Sequence, residues 1–187
     1  MRLALILAAS AGLLVATPAA AADVGRCVWE HIPQDERDRA IAPVAIPADR
    51  DTYPDAFAAA ISDASENAAM TACGVATDRH DAADAAFDVY AWRVWAEHRL
   101  FLYEPHIAPR RLDDAWNALG AELKQRIARE AAYDLKTGAP SPGLEADLNE
   151  AKAQVRAFLN LPSLISDDAD IALRTDILMR AREQGTG

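Results

Sequence analysis

Basic residues are scarce in the first half of this 187-residue chain. Asp23 to Asp88 holds 14 acidic side chains against 5 basic ones, while Val89 to Gly187 holds 15 against 13. Proteins that grip nucleic acid do so by neutralising phosphates with clustered Lys and Arg. An acidic front half on a chain of net charge −10 therefore excludes nucleic acid and disfavours anionic lipid surfaces as partners.

The familiar local signatures of chemistry are missing too. There is no G-x-S-x-G elbow, no H-E-x-x-H pair, no glycine-rich phosphate loop, no C-x-x-C-H haem attachment and no EF-hand loop. The four histidines, His31, His80, His98 and His106, fall in no recognised metal spacing. His80 and Asp84 form only an i, i+4 pair, of a kind common by chance in an acidic helical chain. No metal and no cofactor is expected from local spacing.

Cysteine is limited to Cys27 and Cys73, 46 positions apart. That separation excludes C-x-x-C redox chemistry and a compact zinc-ligand pair. Long hydrophobic runs are also lacking: the most apolar stretch, Leu3 to Ala16, has 14 residues, too few to span a bilayer.

That stretch is nonetheless the most informative part of the chain. Met1-Arg2 gives a positive start, Leu3 to Ala16 an apolar centre, and Thr17-Pro18 breaks the run before Ala19 to Ala22. This is the three-part layout of a secretory signal peptide with an A-x-A cleavage site. It predicts a signal peptide over 1–22 and one domain over 23–187, periplasmic or secreted, with no stable membrane insertion after cleavage. The abundance of Ala, and Arg in preference to Lys, suggests a bacterial source. In an oxidising compartment two cysteines most simply form one disulfide, Cys27 to Cys73. Closing a loop of that size stabilises the fold by about 4 kcal/mol at most.

Prolines divide the remainder into Ala-rich stretches of helical spacing, with almost no β-branched alternation. The expected fold is an all-α, single-domain bundle of about five to six helices. Short turns are expected around Cys27 and from Pro33, then a loop over Ala42 to Asp51. A helix opened by Thr52 to Asp55 carries Phe57, Ile61 and Ala64, with a break near Asn67 and a Gly74 cap. The main helix opens at Asp78 or Asp81 and runs to Tyr103, before Pro105. Further helices start at Asp113 (ending at Gly138), at Ser141-Pro142, and at Asp167 with Asp170 as its cap.

Half of the twelve aromatic residues lie between Phe87 and Tyr103. Apolar residues occupy two opposed faces there, which marks a central helix. One narrow polar strip holds Asp81, Asp84, Asp88 and Arg99 interleaved with Trp92 and Trp95. Trp95 and Arg99 are one turn apart, placed for a cation–π contact. The strip is either a ligand groove between helices or the amphipathic edge of a core helix, its indoles reaching hydrogen-bond partners.

A second candidate is Glu130 with Asp134, one turn apart and close to the Trp116, Leu123 and Ile127 stripe. Paired carboxylates against apolar surface titrate apart, which is how an acid/base couple is made. The simpler reading is that each meets an arginine. Together these features point to an exported binding, interaction or structural protein of the cell envelope, its partner a protein or a small molecule. The alternative is a hydrolase or metal-assisted enzyme using Glu130, Asp134 and a histidine, His98 first.

Overall fold

The computed structural model describes residues 18–42, 60–137, 141–162 and 165–185, and side chains over 23–42, 60–133, 141–162 and 165–184. Eight α-helices and no strand occur among the described residues: α1 Pro18–His31, α2 Gln34–Ile41, α3 Asp63–Ala72, α4 His80–Tyr103, α5 Pro109–Ala118, α6 Ala121–Thr137, α7 Leu144–Leu159, and α8 Asp167–Gly185. A 3-10 turn, Thr77–Arg79, leads into α4. The fold is all-α, with more helices than the five to six expected.

Two places account for the difference. The front of the chain holds two full helices where short turns were expected. The stretch read as one helix from Asp113 to Gly138 starts earlier, at Pro109, and divides at Leu119, which is extended (ψ 143°), before Gly120. The apolar spacing Trp116, Leu119, Leu123, Ile127 runs unbroken across this turn, and all four are buried. A stripe that keeps helical register through a break cannot reveal it.

Local chemistry sets the ends. Ser62 caps α3: its Oγ accepts from Ser65 N at 3.2 Å, and Glu36 of α2 accepts from Ser62 N at 3.0 Å and from Ser65 Oγ at 2.8 Å. The start is therefore Asp63, and Asn67 does not interrupt the helix; its side chain donates to Asp63 O. Gly74, with φ +70°, closes α3 as Val75 N donates to Met70 O and Gly74 N to Thr71 O. Asn160, with φ 56°, ends α7 in the same way. The last helix is capped by Ser166, whose Oγ accepts from Ala169 N; Asp170 instead pairs with Lys152 at 2.6 Å. The expected loop after Ala42, the Thr52–Asp55 cap and Phe57 lie outside the described residues.

The 24-residue α4 runs through the whole bundle, and two apolar cores form along it. Val28, Trp29, Ile32, Met70, Phe87 and Trp95 build the first, between α1, α2, α3 and the front of α4; the Trp29 and Phe87 rings lie 6.3 Å apart. Leu100, Leu112, Ile127, Leu148, Val155, Leu173 and Ile177 build the second, between the end of α4 and α5 to α8. Where α1 crosses α4 the backbones nearly touch: a Cβ on Gly25 would overlap the carbonyl oxygen of Ala86. Only glycine permits that approach.

Candidate functional site

Between the two cores lies a buried ionic layer. Arg180 of α8 is 4% exposed and Asp176 2%. Arg180 Nε donates to both oxygens of Asp176 (3.0 and 2.9 Å), Nη1 to Asp113 (2.6 Å) and Nη2 to Glu97 of α4 (2.8 Å). Arg93 joins the layer through Glu183 at 3.1 Å. Burial, with the Asp176 charge next, pushes Glu97 up to about 7 despite its arginine partners. Every Arg180 nitrogen is occupied, so the layer is a structural clasp between α4, α5 and α8 rather than a vacant anion site.

The strip expected on α4 divides between surface and interior. Trp95 is 3% exposed and Arg99 2%; the Arg99 guanidinium stacks on the Trp95 ring at 5.6 Å. Arg99 Nε and Nη2 take no hydrogen bond among the described residues, so the ring face is the main compensation for that buried charge. Trp92 is half-buried and meets Trp95 edge-on at 5.5 Å. His98 is half-buried in the same helix. Asp84 and Asp88 lie at the surface of α4, on the side that Glu66 of α3 approaches.

There a third carboxylate joins them. Glu66 of α3 lies within hydrogen-bonding reach of Asp84 and feels the charges of Asp88 and Asp63. Burial first, then this repulsion, raises Glu66 to about 7; crowding of the carboxylate away from solvent, then the Asp84 charge, raises Asp88 to about 6 although the residue as a whole is exposed. Neither Glu66 nor Asp88 has an ion-pair partner among the described residues. Glu66 was not legible as a member of this group, because it is 18 residues from Asp84 and the two side chains meet only in the folded chain.

Glu130 of α6 is half-buried, its carboxylate against Gly143. The Asp134 side chain lies outside the described residues. Arg126, on the same helix, is engaged by Asp147 and Glu150, both at 2.9 Å.

At the C-terminal end of α3 the sulfurs of Cys27 and Cys73 are at disulfide distance, 2.07 Å, with Cα atoms 6.0 Å apart. His31, one turn beyond Cys27, places Nδ1 3.7 Å from the Cys27 sulfur and 3.6 Å from that of Cys73. His31 also borders an open groove of about 300 Å³ lined by Pro33 and by Ala64, Ser65, Ala68, Ala69 and Ala72 of α3. The Cys27–His31 spacing of four residues was the available sequence signal; Cys73 completes the group only in three dimensions.

No family model matches this chain, and no curated protein and no solved structure matches it either. No helix among the described residues is long and apolar enough to cross a membrane.

Proposed function

We propose that this chain is an exported bacterial interaction protein, periplasmic or secreted, that takes a basic segment of a partner protein on the acidic face between α3 and α4. The observation that carries this reading is the convergence of Glu66, Asp84 and Asp88 without a basic partner among the described residues. Carboxylates whose proton affinity is raised by burial and by mutual repulsion are stabilised when a cation settles among them. A Lys or Arg side chain from a partner supplies that charge. The acid surplus of the first half, 14 against 5, steers such a segment inward from a distance. Trp92, a turn beyond Asp88, offers a half-exposed ring edge beside the same face.

The test is calorimetric titration of the protein with a Lys- and Leu-containing helical peptide and with its Glu-for-Lys counterpart. Binding of the basic peptide that weakens steeply with salt, and is lost in a Glu66→Gln, Asp88→Asn double variant, is expected. Equal binding of both peptides, or an unaffected variant, contradicts the reading. Export is tested separately: amino-terminal sequencing of protein recovered outside the cytoplasm should begin at Asp23, or one residue earlier.

A further inference from the structure

The Cys27, His31 and Cys73 group has a geometry that a structural disulfide alone does not require. One ligand atom from each residue lies within 4.8 Å of the others, and this is the convergent His/Cys/Asp/Glu group found among the described residues. The imidazole Nδ1 sits almost equidistant from the two sulfurs, at 3.7 and 3.6 Å. Around a tetrahedral or trigonal Zn²⁺, with metal–sulfur bonds of about 2.3 Å and metal–nitrogen bonds of about 2.0 Å, neighbouring sulfur and nitrogen ligands are about 3.5–3.8 Å apart. Both nitrogen–sulfur edges of such a site are therefore already set. The sulfurs must separate to about 3.8 Å around the metal, which the breaking of their covalent bond permits.

We propose that reduction of the Cys27–Cys73 bond turns this trio into a Cys₂His site for a thiophilic d¹⁰ cation, Zn²⁺ or Cu⁺. A dithiol reductant supplies two electrons and two protons: the sulfur–sulfur bond breaks, two thiols form, and the reductant closes its own disulfide. Metal binding then releases both thiol protons. His31 Nδ1 lies 2.9 Å from the Cys27 carbonyl oxygen, which can only accept, so Nδ1 carries a proton in the oxidised state. On coordination the imidazole carries its proton on Nε2 instead, and no further proton is exchanged.

Three features of the chain suit this role. Cys27 and His31 share one face of α1, a turn apart, so a rigid helix presents two of the ligands. The Schellman cap at Gly74 fixes the end of α3 and with it Cys73. Both cysteines are half-buried and His31 is exposed, beside the open groove, so a reductant and an ion can reach the group. Thiolate and imidazole together select Zn²⁺ or Cu⁺ over the hard cations Mg²⁺ and Ca²⁺. Three protein ligands leave a tetrahedral position for solvent.

The experiment uses the full mature chain under anaerobic conditions, oxidised or reduced with a phosphine, titrated with Co²⁺ and then displaced with Zn²⁺. Reduced protein should develop a thiolate-to-cobalt charge-transfer band that saturates near one equivalent and is bleached by Zn²⁺; oxidised protein should not. His31→Gln leaves both cysteines in place and should weaken binding by at least about 10- to 100-fold. The proposal is overturned if reduced protein gives no band, whether folded or unfolded by circular dichroism. It is overturned equally if the oxidised form binds as well, or if His31→Gln binds cobalt with unchanged affinity.

Discussion

The two ends of α4 are packed by different chemistry. Its front is covered by α1, a helix of 14 residues, with the short α2 and α3, of 8 and 10 residues, completing a core built on Val28, Trp29, Ile32, Phe87 and Trp95. Its end is covered by α8, a helix of 19 residues, with α6 and the 16-residue α7 packed behind it around a core in which Leu, Ile and Val are interleaved with alanines. Helices of two or three turns are marginal by themselves. The front half has the Cys27–Cys73 pair and the Glu36 bonds to the start of α3; the back half has none of these. Long helices there present enough apolar surface to hold together, and ion pairs such as Lys152–Asp170 and Arg174–Glu145 lace their edges. Covalent closure thus ties the short α3 to the longer α1.

The largest effect should come from the layer where the halves meet. Arg180→Ala leaves Asp176 and Glu97 buried without their cation, at a cost of about 3–5 kcal/mol, and denaturant melts should show both halves weakened together. Selective loss of one half would mean that the layer belongs to that half alone. Phe87→Ala, in the front core, should cost about 3–5 kcal/mol, while Leu148→Ala in the back should cost about 2–5 kcal/mol. Combined, the two should add within a few tenths of a kcal/mol if the cores are separate; strong coupling in the double variant would merge them. Gly25→Ala should destabilise by about 1–3 kcal/mol, since α1 must withdraw from Ala86. An unchanged melting temperature would show that the crossing is looser than described.

The smallest effect is a pH dependence. Glu66 and Asp88 have raised proton affinities in the folded chain, so the folded state binds more protons than the unfolded one. Their contribution is complete below about pH 4 and is lost as pH rises through about 6 to 7. Glu97 acts with the same sign, whereas Glu36 and Glu145, held low by hydrogen bonds, lose stability as pH falls. The informative quantity is therefore the difference between parent and the Glu66→Gln, Asp88→Asn variant. That variant should gain melting temperature relative to the parent at pH 8 and not at pH 4.

The contrast between the halves also explains what the sequence could tell. In the back half, Leu148, Ala151, Val155 and Leu159 repeat at helical spacing and are all buried, so helix and core were legible together. In α4 the two apolar faces marked a central helix, and the Trp95–Arg99 pair followed from one-turn spacing. The division at Leu119 was hidden because the apolar register continues through it. The start of α3 was hidden because its cap, Ser62, is completed by Glu36 from another helix. The candidate sites were least legible. Glu66 joins Asp84 and Asp88, and Cys73 joins Cys27 and His31, through contacts between helices that no local spacing encodes.

The central claim, that a covalent tie holds the front half while the back half stands without one, is tested most directly by native-state hydrogen exchange with and without reductant. Reduction should speed exchange of amides in α1, α3 and the first turns of α4 while those of α7, from Leu148 to Leu159, keep their protection. Equal loss of protection in α7, or no change around Cys27 and Cys73, would contradict it.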